Sequence, residues 1–279
     1  VKILIAGCGY VGGALARRLV DEGHAVWGLR RNVNGLPEGV RPFPADLGDL
    51  DSLRSLPADI DYVFYTAGSG GFSDEAYRAA YVDGPNNLLK ALARTGAAPA
   101  RVFFTSSTGV YAQDDGEWVD EESITRPTRF SGMRLVEAEA VFHRSLQPAT
   151  VVRLGGIYGP GRTRLIDQVR RGEAHCTAGR THYLNLIHRD DCAGVLRHLM
   201  TFPDPTGCYV AVDDEPVERC TLLRWTAREL GLPEPPVIEA TQDNEPQRGG
   251  NRRISNARLR ATGYTFQYPS YREGYRALL

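Results

Sequence analysis

The chain has 279 residues, 42% apolar and 24% charged, with a formal net charge of −1. This is the composition of a globular protein long enough for a large core, in one extended domain or two lobes. The balanced charge speaks against nucleic acid and anionic membrane surfaces as partners, and no stretch reads as a membrane-spanning helix or a signal peptide.

The first fifteen residues, VKILIAGCGYVGGAL, predict a strand over 2–6, a glycine turn and a helix over 11–22. Val11, Leu15 and Leu19 recur four apart on one face of that helix. Further strands are predicted at 25–29, 41–45, 61–65, 101–106 and 149–153. Helices are predicted at 49–56, 74–95 and 131–145. Such alternation implies right-handed βαβ units and a mostly parallel sheet covered on both faces. The fold class is therefore α/β, a Rossmann-type doubly wound sheet with a smaller C-terminal substrate lobe.

Residues 1–155 are assigned to the dinucleotide-binding domain. Residues 156–279 are assigned mainly to the substrate lobe, with about 180–205 returning to the first domain. The change of texture starts at Gly155, Gly156, Gly159, Pro160 and Gly161. Helices follow near 163–171, 190–201 and 219–230, then a proline-rich connection at 233–236. Residues 245–253 read as a polar, basic loop, and the tail returns to aromatic packing. Five cysteines without a CxxC pair suggest unpaired thiols in a reducing, cytoplasmic setting. Cys8 reads as a small filler of the turn rather than a nucleophile.

Gly7, Gly9 and Gly12 form GxGxxG between strand and helix. Gly7 serves the tight turn, Gly9 the approach of a pyrophosphate, and Gly12 close helix–strand packing. Backbone N–H groups at Tyr10 and Val11 then face the phosphates. An acid at the end of the second strand would select NAD, but Arg30 and Arg31 stand there. Two guanidinium groups suit a 2′-phosphate, so NADP is favoured, with NAD the alternative. Asp46 is a candidate for the adenine amino group and Leu47 for covering the ring. Ala67 and Gly68 leave room beside the fourth strand.

Several segments together resemble the extended and atypical short-chain dehydrogenase/reductase superfamily, in its NAD-dependent epimerase/dehydratase branch. They are G7-C-G-Y-V-G12, D46-L47, T105-S-S-T-G-V-Y111, R153-L-G-G-I-Y-G-P-G-R162 and N185-L-I-H-R-D-D191. N251-R-R-I-S-N-A-R258 and Y268-P-S-Y-R-E-G274 are similar to a bacterial atypical subgroup. The resemblance covers nearly the whole chain and is more specific for fold than for reaction. It implies hydride transfer at a carbon bearing oxygen, with serine holding the substrate oxygen. Tyrosine would exchange the proton, and lysine would tune the tyrosine and bind the nicotinamide ribose.

Ser107 matches the family serine. Anchoring on Gly132 and Glu139 puts Ser131 at the tyrosine position and Leu135 at the lysine position. A shift by one puts Phe130 and Arg134 there. The usual tyrosine–lysine pair is thus missing from the pattern. Three explanations compete. An acid has relocated, with Tyr111, Tyr158, Tyr183 and His188 as candidates, although residues such as Tyr111, Tyr158 and His188 more often fill structural roles. Alternatively, Ser107 and Ser131 position a substrate that needs little acid–base help. In the third, NADP is a structural or sensing ligand without turnover.

Arg162 and Arg189 are candidates for an anionic substrate or for solvated surface positions. Gly156 replaces the asparagine common in nucleotide-sugar enzymes, so no such substrate is inferred. No metal-site spacing and no GxSxG nucleophile elbow occur. The sequence is read as an NADP-dependent oxidoreductase of a small or medium-sized metabolite, in which Ser107 and Ser131 orient the substrate. The alternative is a catalytically silent NADP-binding sensor or interaction protein. A homodimer and a monomer are both compatible.

Overall fold

The computed structural model describes residues 1–239 and 250–279. In chain order its first half contains β1 (Lys2–Ala6), α1 (Tyr10–Asp21), β2 (Ala25–Arg30), β3 (Arg41–Pro44), β4 (Tyr62–Tyr65), α2 (Asp74–Arg78), α3 (Gly84–Thr95), β5 (Arg101–Ser107), β6 (Trp118–Val119), α4 (Phe130–His143) and β7 (Ala149–Leu154). The second half contains β8 (Gly156–Tyr158), α5 (Arg164–Arg170), β9 (Cys176–Thr177), β10 (Tyr183–Leu184), β11 (Leu186–His188), α6 (Arg189–Thr201), β12 (Gly207–Ala211), β13 (Val217–Glu218), α7 (Arg219–Glu229), β14 (Val237–Ile238), β15 (Arg253–Ile254), α8 (Ala257–Ala261) and α9 (Tyr271–Arg276).

Seven strands make one parallel sheet in the order β3-β2-β1-β4-β5-β7-β12. The α/β class and the doubly wound sheet are thereby established. Alternation along each strand divides the core in two. Ile3, Ile5, Phe64, Phe103 and Val152 meet Leu15 and Leu19 of α1 and Leu196 and Leu199 of α6. Leu4, Val63, Tyr65, Phe104 and Val151 meet Leu88 and Leu92 of α3 and Leu135 and Phe142 of α4. Each such side chain contributes about 1.5–3 kcal/mol of transfer free energy when fully buried. The strands read as apolar runs because both faces are covered.

Four expectations change in detail. The helix over 49–56 is one 3₁₀ turn, Leu50–Leu53, capped by the Asp49 side chain. Pro57 disfavours helical backbone at Leu56, which leaves too few residues for a longer helix. The helix over 74–95 is interrupted by a wider π-type turn at Ala79–Asp83. Of the loop expected over 245–253, residues 245–249 lie outside the described residues, and Arg253 already pairs with Trp118 in parallel. Finally, Cys176 and Cys220 are joined as a disulfide, which corrects the reading of all five thiols as unpaired. The pair is 44 residues apart in the chain and meets only because α7 packs on β9. Cys8, Cys192 and Cys208 are free.

A buried polar network ties β5, α4 and β7 together beneath the C-terminal end of the sheet. Arg153 donates to both carboxylate oxygens of Glu139, at 3.0 and 2.8 Å, and to the Tyr111 hydroxyl at 2.9 Å. Ser106 donates to Glu139 at 2.6 Å, and Tyr111 donates to the Asp120 carbonyl at 2.7 Å. Arg153 and Glu139 are 7% and 5% exposed, so each satisfies a charge that water cannot reach. Glu139→Ala is expected to lower unfolding stability by about 3–5 kcal/mol in urea denaturation, because it strands the Arg153 charge. The double variant Glu139→Leu with Arg153→Met should lose less than either single change. Equal or additive losses would show that the pair is not coupled.

Candidate functional site

The turn after β1 is held against β4 by a contact that leaves no room for side chains. Gly7 has φ +91°, and a β-carbon there would lie 2.3 Å from the Ala67 backbone. A β-carbon on Gly12 would lie 2.5 Å from Thr66 Oγ1 and 2.7 Å from the Gly7 carbonyl oxygen. Thr66 in turn donates to that carbonyl at 3.0 Å. Above Gly9 the space is open, with only the Gly7 oxygen at 3.8 Å. The first bond of the α1 ladder runs from Gly13 N–H to the Gly9 carbonyl, 2.7 Å. The N–H groups of Tyr10, Val11 and Gly12 therefore precede the ladder. No side chain caps them, and the first turn carries no acid. This is a helix end suited to an anion.

Arg30 closes one side of this turn. Its guanidinium donates to the Cys8 carbonyl at 3.3 Å. Burial pushes the Cys8 thiol up to about 11, against the opposing pull of Arg30, so it stays protonated at neutral pH. Arg31 is more exposed and lies 3.9 Å from Asp46 Oδ2. The other oxygen of Asp46 accepts from Gly48 N–H at 2.9 Å, so this carboxylate shapes its own turn. Leu47 is fixed from behind by Asn87, which donates to its carbonyl at 2.9 Å. The structure thus gathers Gly7, Gly9, Tyr10, Val11, Gly12, Arg30, Arg31, Asp46 and Leu47 along the ends of β1, β2 and β3. Ala67 and Gly68 follow β4.

The ends of β4 and β5 carry the groups expected to face the substrate. Ser107 ends β5, and its Oγ accepts from Gly109 N–H at 3.1 Å. Ser131 lies in the first turn of α4. Gly132 lets α4 press on the turn after β5, since a β-carbon there would lie 2.6 Å from the Gly109 carbonyl oxygen. Phe130 begins α4, and Arg134 stands one turn later. Arg134 grips both oxygens of Asp74 at 2.8 Å and also donates to Glu137. The chain's two lysines are Lys2 in β1 and Lys90 on α3.

Sequence reasoning missed a group of aromatic rings at this same place. Phe72, from the loop after β4, lies 5.1 Å from Phe130 and 5.7 Å from Tyr77 between ring centroids. Tyr77 meets Phe130 at 5.4 Å and Tyr81 at 5.3 Å. Tyr77 and Tyr81 are four apart along the helix, a spacing that could have drawn notice. The π-type turn holding Tyr81 was not legible. A β-carbon on Gly68 would be 4.0 Å from the Tyr81 hydroxyl, which places a phenol at the end of β4. Burial pushes this phenol up to about 12, with Tyr77 adding to the rise and the Ser69 backbone opposing it.

The other candidate acids have different surroundings. Tyr111 serves the buried Arg153 network. Tyr183 lies under Arg253. His188 is buried, and its Nδ1 accepts from Asp190 N–H at the start of α6. Tyr158 packs edge-on against His188 and Tyr275. Arg162 and Arg189 both stand over the Tyr10 ring, at 4.2 and 5.3 Å, beside the start of α1. Asn185 bonds the Arg252 carbonyl and Ile254 N–H, fastening the C-terminal segment across the top of the sheet. Among the described residues, no cluster of His, Cys, Asp or Glu could hold a metal, and no helix is long and apolar enough to cross a membrane.

Residues 3–209 match the model of the NAD dependent epimerase/dehydratase family. Protein YeeZ of Escherichia coli K12 is 30% identical over 287 residues, covering 96% of each chain. The 3 beta-hydroxysteroid dehydrogenase/Delta 5-->4-isomerase of Mycobacterium tuberculosis is 28% identical, covering 99% of this chain and 78% of its own. A solved epimerase/dehydratase-like structure from Methylobacillus flagellatus is 39% identical, with a TM-score of 0.81 over 99% of this chain and 97% of that one. More distant structures of the same fold hold NAD. With the glycine turn, the seven-stranded sheet and a family match over most of its length, this chain belongs to the NAD-dependent epimerase/dehydratase family.

Proposed function

We propose that the protein is an NADP-dependent oxidoreductase acting on a carbonyl or alcohol carbon of a small or medium-sized metabolite. The observation that carries the reading is the uncapped start of α1 over Gly9, with Arg30 beside it and no acid ending β2. When bound, the dinucleotide supplies or accepts the hydride. The N–H groups of Tyr10, Val11 and Gly12 bind pyrophosphate charge, and Gly9 leaves room for it. Arg30 and Arg31 bind the 2′-phosphate, and Leu47 covers the adenine. Ser107 and Ser131 hold the substrate oxygen. Tyr81 is assigned the proton because its hydroxyl stands beside Gly68 at the end of β4. The steroid dehydrogenase relative supports exchange at an oxygen-bearing carbon.

A silent NADP-binding sensor is the second reading. Its support is Phe130 in place of a phenol and Arg134 held by Asp74 instead of being free for a ribose.

Separate fluorescence titrations with NADPH and NADH should show NADPH binding about tenfold to a hundredfold tighter, the value of one or two charge-assisted hydrogen bonds. Arg30→Ala with Arg31→Ala should bring the two affinities together. Equal affinities in the wild type would remove the NADP assignment.

Turnover is checked by nicotinamide absorbance against a panel of ketones and aldehydes. Ser107→Ala and Tyr81→Phe should each lower kcat by at least about tenfold while leaving NADPH affinity in place. An unchanged kcat and pH profile in Tyr81→Phe would withdraw its assignment. Tight NADPH binding with no turnover anywhere in the panel would favour the silent reading.

A further inference from the structure

The rings of Phe72, Tyr77 and Phe130 form a wall that core packing does not explain. All three are absent from the buried cores on either side of the sheet. Phe72 keeps 51% of its surface exposed, and Met133, one turn beyond Phe130 on α4, keeps 45%. Their positions are set by elements that end at the site. Phe72 lies four residues past Gly68, and Phe130 opens α4, which Gly132 presses onto the turn after Ser107. The three rings touch in a triangle, with Tyr77 perpendicular to Phe72 and Phe130 at 87° and 90°. This edge-to-face arrangement holds each ring in a defined orientation.

Among the described residues, the charged side chains of Arg134 and Asp74 beside the wall are engaged with each other. They share two hydrogen bonds of 2.8 Å, and Glu137 takes another donor of Arg134. A sugar ring at these aromatic faces would lose hydration at its hydroxyls, which the ring faces cannot replace. A flat apolar ring loses little and gains contact with aromatic surface.

We infer that Phe72, Tyr77 and Phe130 form a ring-binding subsite, and that the substrate is a planar aryl or fused-ring carbonyl compound or its alcohol. The inference rests on the oxidoreductase reading, in which the ends of β4 and β5 carry the groups that face the substrate. The wall takes the ring, while Ser107 takes the oxygen.

The test is equilibrium dialysis of the full chain saturated with NADP⁺, which cannot reduce a ketone. The probes are 2-acetonaphthone and its fully saturated decalin counterpart, which carry the same carbon skeleton. The planar ketone should bind about tenfold more tightly, the effect of one or two aromatic contacts. Phe72→Leu and Phe130→Leu should each reduce that preference several-fold while NADP⁺ affinity and the circular dichroism spectrum stay unchanged. Equal binding of the two ketones, no binding of either, or a preference untouched by both variants would overturn the ring subsite alone. Failure of the wild type to bind either NADP⁺ or NAD⁺ would overturn the oxidoreductase reading and this inference with it.

Discussion

The close approach of the first turn to the end of β4 is the constraint on which the rest of the site depends. At Gly7 and Gly12 the backbone of one segment lies where a side chain of the other would have to be. That contact fixes where α1 begins, and its first N–H groups precede the helical ladder without a side-chain cap. It also fixes Ala67 and Gly68 beside the same turn. A larger residue at either glycine would move the helix end and the end of β4 together. Positive potential at the helix start and clearance beside β4 are thus two results of one packing requirement.

The second support lies below the surface. Arg153 and Glu139 join the last central strands to α4, and Ser106 joins them from β5. These side chains are buried, so their geometry is tightly determined by the need to satisfy every donor and acceptor. Ser107 is the next residue along from Ser106, and it turns toward the site. Rigid polar contacts therefore hold the platform while the residues above it vary. That division agrees with a family whose members share a fold and differ in reaction.

What stands on the platform is unusual in its balance of polar and apolar groups. Arg134 is drawn away to Asp74, and Phe130 offers a ring without a hydroxyl. The π-type turn between α2 and α3 brings Tyr81 to Gly68 instead. Its carbonyl at Ala80 also receives the Tyr65 hydroxyl at 2.5 Å, so the irregular turn is anchored to the core. Wider helical turns of this kind recur at functional sites because they displace side chains by a residue without ending the helix.

Much of the fold was legible because its signals are local. The apolar runs of the strands, the four-residue spacing of Val11, Leu15 and Leu19, and the glycine turn are each set by patterns that act within a few residues. Arg30 and Arg31 could be placed at the end of β2 for the same reason. The Cys176–Cys220 pair, the Arg134–Asp74 pair and the meeting of Phe72 with Phe130 were not legible. Their partners are 44 to 60 residues apart in the chain. No local pattern couples residues at such distances. The sequence by itself determined a parallel sheet with a dinucleotide-type turn, since backbone geometry demands glycine at particular places. Only the tertiary structure decided which side chains stand together at the ends of β4 and β5, because packing between distant helices brings them there.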